Sequence, residues 1–385
     1  MEVASLSNNV TSRAFLLMTE GTSLLLLQRM RHSGYTIASS GSELQIQFFA
    51  LPKVQLIVAS RLTKTLHSKK YGVDLPRFTH KNTAIIYAST KEDDTIRYHS
   101  LHDNKYLQYF RGHSQRVISL EMSPVDDGFM SGSMDKTVRL WDLRAPQCRG
   151  LLNLPAPSLV AYDATGLVFA VAVNHYGRIL MYDHANFDKA PFLTVTLEDP
   201  TLARVSFPPR AIYMTSMAFS SSGKYLLVGC SGDAHYIVDA FEGHILAKLE
   251  GHIGLERRRL DTPMNIEPQR GCSGEEVSWT PDSKYIVSGG LDGRICVWDV
   301  QNIPPREGPV DLKLSPLCIQ PLVKTDGHPG PARCVRFNPR LAMMATASAE
   351  LVCLYLILSF APLTGSRPFG TQIRLRMQTK LPKNF

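Results

Sequence analysis

The chain has 385 residues, 44% hydrophobic and 20% charged, which excludes intrinsic disorder and allows one large core or two ordinary domains. Its formal net charge is +8, but residues 1–66 hold six Lys/Arg against three acids and residues 366–385 hold five against none, so residues 67–365 are neutral. The body of the chain has no excess charge for holding phosphates by counterion release, and direct sequence-specific nucleic-acid binding is not expected.

In chain order, residues 1–65 form a divergent segment that holds a possible first β unit. Its apolar patch "SLLLL" (23–27) lacks a basic lead and a cleavage site, so no signal peptide is read there. "YTIASSGSELQIQFF" (35–49) alternates weakly, as a strand pair would. The pattern then sharpens. "GHSQRVISLEMSPVDDGFMSGSMDKTVRLWDLR" (112–144) and "GEEVSWTPDSKYIVSGGLDGRICVWDV" (274–300) share one frame. Each has an alternating strand, a proline turn, a second strand, a tight turn holding Asp, and a third strand ending Trp-Asp.

Weaker copies occupy 78–100, 161–183, 218–240 and 336–351. Ile96, Val138 and Ile179 hold equivalent places at intervals of 42 and 41 residues, the length of a four-stranded propeller blade with Gly-His and Trp-Asp marks. Later intervals lengthen to 56 and 60, which places insertions near 187–211 and 253–273; the second carries "ERRR" (256–259). Six copies and the weak first unit predict an all-β, seven-bladed WD-repeat β-propeller, its repeats spanning 66–350. Residues 351–385 read as an apolar run followed by a basic tail. That run, 351–363, is too short for the roughly 20 residues of a membrane span, and no membrane partner is expected.

The motif residues have a structural use. His113, Ser131, Asp135 and Trp141 are expected to form a buried hydrogen-bonded chain, and His252, Ser288, Asp292 and Trp298 a second one. A Ser/His/Asp trio also fits a hydrolase, but it recurs per blade and no nucleophile elbow, phosphate loop or zinc motif accompanies it. No catalytic residue, metal site or cofactor is expected. His99 and His102 are close in sequence without further ligands. The seven cysteines are scattered with no C-x-x-C pair, as reduced thiols inside a cell would be, and Cys296 reads as a small buried hydrophobe.

"SKKYGVDLPRFTH" (68–80) aligns on "GHSQRVISLEMSP" (112–124) at an offset of 44. Lys69 then falls where His113 falls, and His99 falls where Trp141 falls. This blade has given up its internal chain, because a lysine cannot replace a buried neutral histidine without a large desolvation cost. The loop is expected to turn outward, with Lys70, Arg116 and the acidic turn "KEDD" (91–94) forming a polar rim. A solvated rim and a binding surface are both open readings of these residues.

"SKKYGVD", "DDTIRYHSLHDNKYLQYFRGH" (93–113), "MSPVDDGFMSGSMDKTVRLWDLR" (122–144) and "FDKAPF" (187–192), in this order, are more specific than general propeller marks. They resemble the small WD-repeat subunit shared by the COMPASS histone lysine methyltransferase complex and by RNA 3′-end processing or phosphatase complexes. The resemblance is strong over 66–192 and moderate over 212–350. It implies a nuclear, non-catalytic scaffold in chromatin and transcription regulation. The partners it implies are methyltransferase complex subunits, the phosphorylated C-terminal repeats of RNA polymerase II, a cleavage/polyadenylation factor and type-1 protein phosphatase. Phosphate recognition suits outward Lys69, Lys70 and Arg116, an assignment made from position alone. A second reading comes from Trp141, Asp142 and Arg144, which match the W-D-x-R pattern of substrate receptors for cullin-type ubiquitin ligases.

Overall fold

Among the described residues seven sheets follow one another along the chain, antiparallel except for one added strand in the fifth. The computed structural model describes residues 35–39, 45–50, 53–58, 61–67, 70–81, 83–174, 176–200, 212–254, 276–304, 315–325, 328, 330–332, 334–337, 343–347, 351–359 and 372–377. Lys69 and the 256–259 basic run lie outside them. Among the described residues every regular element is a strand.

The first sheet holds β1 (Tyr35–Ser39), β2 (Gln45–Ala50), β3 (Lys53–Val58) and β4 (Arg61–His67). The second holds β5 (Asp74–Phe78), β6 (Ala84–Ala88), β7 (Ile96–Ser100) and β8 (Lys105–Phe110). The third holds β9 (Val117–Met122), β10 (Gly128–Ser133), β11 (Thr137–Asp142) and β12 (Ala145–Asn153). The fourth holds β13 (Ser158–Tyr162), β14 (Val168–Val173), β15 (Arg178–Asp183) and β16 (Leu193–Thr196). The fifth holds β17 (Met214–Phe219), β18 (Tyr225–Cys230), β19 (Ala234–Asp239) and β20 (Ile245–Glu250). The sixth begins with β21 (Val277–Trp279), β22 (Tyr285–Gly289) and β23 (Ile295–Asp299). The chain then lays β24 (Leu317–Ile319) parallel to β20 as a fifth strand of the fifth sheet, before β25 (Val323–Thr325) completes the sixth. The seventh sheet holds β26 (Cys334–Phe337), β27 (Met343–Ala347), β28 (Leu351–Ser359) and β29 (Gln372–Met377).

The innermost strands β1, β5, β9, β13, β17, β21 and β26 adjoin in that order, which is the radial plan of a propeller. The reading of the sequence ends the repeats at residue 350. Backbone pairing of β27 with β28 and of β28 with β29 carries the last sheet on to Met377. The apolar run there has strand length, and backbone pairing needs no Gly-His or Trp-Asp mark.

Burial follows position in the sheet. The second strands β6 and β22 are buried at every residue, and β10, β14 and β18 at every residue but the first, because neighbouring sheets cover both their faces. The outer strand β8 alternates between exposed and half-buried until Phe110. The apolar cores lie between sheets. Val138, Leu140 and Met130 pack on Val160, Phe169 and Val171, and Leu227 and Ile237 pack on Val277 and Ile286. The registers set Ile96, Val138 and Ile179 at one equivalent place, opposite Ala88, Gly132 and Ala172.

The turns between second and third strands enter the left-handed region at Lys136 (φ 64°), Gly177 (φ 58°) and Gly293 (φ 78°). At Gly293 a Cβ would also collide with the carbonyl of His328, whose N–H donates to the Gly293 carbonyl at 2.9 Å. Gly293→Ala is therefore expected to lower unfolding stability by about 2 kcal/mol or more, combining left-handed strain with a displaced backbone. A urea midpoint equal to that of the parent would show that this turn is not constrained.

Candidate functional site

The third blade contains a continuous polar chain. The Trp141 Nε1–H donates to Ser131 Oγ at 2.8 Å, Ser131 Oγ lies 2.7 Å from His113 Nε2, and His113 Nδ1 lies 2.9 Å from Asp135 Oδ2. With the imidazole proton on Nδ1, every member has a partner: indole to hydroxyl, hydroxyl to imidazole, imidazole to carboxylate. Thr137 Oγ1 adds a donor to Asp135 Oδ1 at 2.7 Å. Burial pushes the His113 pKa down, so the ring is neutral near pH 7. At Asp135 burial acts upward, but the hydrogen bonds from Thr137 and His113 outweigh it and hold the carboxyl below its usual range. Ser131 is fully buried and accepts the indole proton, so it presents no nucleophile to solvent.

The sixth blade corrects the second expected chain. His252, Ser288, Asp292 and Trp298 do not bond to one another. Nδ1 of His235, in the adjacent blade, accepts the Cys230 N–H at 3.1 Å, so the ring proton is on Nε2 and donates to Ser288 Oγ at 3.0 Å. His252 instead stacks on His235 at 4.2 Å between ring centroids, with 14° between planes. The Trp298 indole N–H donates to the Glu250 carbonyl at 3.0 Å, and Asp292 accepts the Arg294 amide at 3.1 Å. The physical reason is spacing. Only residues 114–116 separate His113 from β9, whereas residues 253–276 separate His252 from β21. His235 reaches the serine across the blade boundary from β19. Burial lowers both imidazoles, that of His252 to about 4.

In the second blade, His99 pairs with Ile85 as Trp141 pairs with Phe129, so His99 does stand in the tryptophan's place. Its Nε2 lies 3.1 Å from Asn104 Oδ1. Around it is an aromatic and cationic group that the sequence did not reveal. Arg97 makes two contacts with Asp93, at 2.7 and 2.8 Å, and its guanidinium sits 3.6 Å from the Tyr71 ring centre. The strand β7 is buried at all five positions, so nothing in its pattern separates this paired charge from its apolar neighbours.

Lys70 is exposed, lies 3.6 Å from Glu92 and stands over Tyr71. Arg116 is partly exposed and lies 3.4 Å from the buried Asp74 carboxylate. Both precede innermost strands at the same end of the blades. Arg144, 73% exposed, ion-pairs locally with Asp142 at 3.3 Å and Asp127 at 3.9 Å. His102 pairs with Asp103. Among the described residues no three His, Cys, Asp or Glu side chains converge as metal ligands, and Cys148, Cys230, Cys296, Cys318 and Cys334 are free thiols.

A satisfied Trp–Ser–His–Asp chain inside a radially packed four-stranded sheet defines a WD-repeat β-propeller. The WD domain, G-beta repeat model matches residues 104–142 and 275–299. WD repeat-containing protein 82 of Drosophila melanogaster is 42% identical over 289 residues, covering 75% of this chain and 78% of its own. Set1 complex component swd2 of Schizosaccharomyces pombe is 34% identical over 318 residues, covering 77% and 84%. COMPASS component SWD2 of Saccharomyces cerevisiae is 34% identical over 291 residues, covering 76% and 80%. The chain belongs to this family of small WD-repeat proteins.

Two outcomes follow from the geometry. Ser131→Ala leaves the Trp141 N–H and the His113 Nε2 unpaired in the core and is expected to cost about 2–4 kcal/mol of unfolding free energy, measured by urea denaturation. Acid should also destabilise the fold well above the carboxylate range. The unfolded chain takes up protons near pH 6.5 that the folded chain refuses down to about 4 at His252 and His328. Their contribution is present above about pH 7 and is lost as pH falls toward 4, by up to about 1.4 kcal/mol per pH unit for each ring. Urea midpoints unchanged between pH 7.5 and pH 5 would contradict these buried neutral rings.

Proposed function

We propose that this protein is a non-catalytic scaffold subunit of a Set1/COMPASS-type histone lysine methyltransferase complex, acting in the nucleus. The observation that carries this reading is the identity to the Set1 complex and COMPASS components across most of both chains. The architecture supports it. The titratable trio of the third blade is occupied by internal hydrogen bonds, and what the blades offer outward is surface.

The scaffold links the methyltransferase to transcribing RNA polymerase II and has a role in RNA 3′-end processing and termination. Its further partners on this reading are the phosphorylated C-terminal repeats of the polymerase, a cleavage/polyadenylation factor and type-1 protein phosphatase. Lys69, Lys70 and Arg116 are the groups assigned to phosphate. What supports them is the exposed Lys70 ammonium and the Arg116 guanidinium at one end of the second and third blades, beside the Glu92 and Asp74 carboxylates whose place a phosphate would take. The second reading, a ligase substrate receptor, rests on Trp141, Asp142 and Arg144, where only Arg144 is well exposed.

Binding of a labelled polymerase C-terminal repeat peptide, phosphorylated and unphosphorylated, to the purified full chain tests the assignment. Lys70→Glu combined with Arg116→Gln is expected to weaken the phosphopeptide about tenfold or more and to leave the unphosphorylated peptide unchanged, while Arg144→Ala leaves both unchanged. Equal phosphopeptide affinity in the parent and the double variant would remove these residues from the site. Loss of a bound ligase adaptor in Arg144→Ala would favour the second reading.

A further inference from the structure

The opposite end of the blades carries an unpartnered apolar surface within an acidic rim. Turns between first and second strands and turns between third and fourth strands emerge together at this end. Hydrogen bonds record the pairing: Leu143 N–H to the Asp127 carbonyl, His184 N–H to Leu167, and Ala240 N–H to Lys224. The first-to-second turns also abut from blade to blade. His80 Nε2 lies 2.9 Å from the Asp126 carbonyl oxygen, Val125 Cγ2 lies 3.0 Å from where a Gly166 Cβ would sit, Asp163 Oδ1 lies 3.1 Å from that of Gly223, and Ser221 Oγ lies 2.7 Å from Ser283 Oγ. A run of abutting turns results, from the second blade to the sixth.

Large apolar side chains stand out from this end on the third, fourth and fifth blades. Val125 is 70% exposed, Leu167 69%, Phe192 59% and Phe241 71%. Singly exposed apolar residues are ordinary, but four on one end, two of them phenylalanine, are the mark of an interaction surface. Packing does not require them. Leu140, Phe169 and Leu193 already serve the blade cores beneath.

Charge says what kind of partner fits. Residues 124–127, 142–144, 163–167, 183–192, 220–224 and 239–244 hold eight carboxylates against three cations, Arg144, Lys189 and Lys224. Two of those cations are engaged, Arg144 with Asp142 and Asp127, and Lys189 with Asn186 at 2.8 Å. Arg149 on β12 flanks the rim. Hydrogen bonds keep Asp126 and Asp183 ionised, against burial at Asp126. In a chain of net charge +8 this end is locally acidic.

We propose that this end docks a basic amphipathic segment of a partner protein, its apolar side chains seated on Val125, Leu167, Phe192 and Phe241 and its Lys/Arg side chains on the surrounding carboxylates. The site is distinct from Lys70 and Arg116 and stands whether or not those residues bind phosphate. Apolar anchors supply affinity and the acidic rim supplies orientation and on-rate.

Fluorescence anisotropy on the purified full chain tests it with two dye-labelled 15-residue peptides. One alternates Lys with Leu and Phe; the other replaces every Lys by Glu. The cationic peptide is expected to bind, to weaken severalfold between 50 and 300 mM salt, and to lose at least tenfold in affinity to Leu167→Glu/Phe241→Glu; the Glu peptide is expected not to bind. Leu167→Ser/Phe241→Ser removes the apolar anchors without adding charge and serves if the Glu pair disturbs folding. Equal affinity in the variants, or equal affinity of the two peptides, overturns the proposal. So does a wild-type dimer that becomes monomeric on substitution, which would assign the surface to a second copy of this chain.

Discussion

A twisted four-stranded sheet has two faces, and in this fold only its neighbours are available to cover them. That constraint accounts for most of the structure. It makes the second strands buried on both sides, so they read as near-continuous apolar runs rather than alternating ones. It puts the apolar cores between sheets rather than within them. It leaves the outer strands, the turns and the two ends of the blades as the surface on which sequence is free to vary.

The hydrogen-bonded chain of the third blade answers a second problem, that of fixing the sheet's internal geometry without leaving a buried donor unpaired. Trp141 contributes large apolar area and one N–H; Ser131 accepts that N–H and donates its own O–H to His113 Nε2, whose Nδ1–H donates to Asp135. The sixth blade solves the same problem with different groups. Its indole uses a backbone carbonyl, and its serine is met by a histidine from the blade before. The shared requirement is a partner for each buried polar atom, and the identity of the partner is secondary.

This explains what was legible in the sequence. The repeat and its period followed from alternation and turn residues, and the registers place Ile96, Val138 and Ile179 at one position in three consecutive sheets. The chain at His113 was legible because three residues join it to the next strand. The partner of Ser288 was not, because a 24-residue connection frees His252 and the substitute, His235, sits in another repeat. Arg97 was hidden for a related reason: a buried charge satisfied by Asp93 and the Tyr71 face leaves no periodic signal. Strands β28 and β29 carry no motif residue at all and are defined by backbone pairing.

The blades present chemically different surfaces at their two ends: Lys70, Arg116 and an acidic turn at one, exposed apolar side chains within carboxylates at the other. A rigid body with two unlike faces suits a subunit that holds two partners at once. The central claim is that the chain works as a subunit of a methyltransferase assembly. Purification of the tagged full chain from nuclear extract, with quantitative mass spectrometry of what remains bound, tests it most directly. The account predicts methyltransferase complex subunits in near-stoichiometric amounts; ligase adaptors without any methyltransferase subunit, or no stable partner, would contradict it.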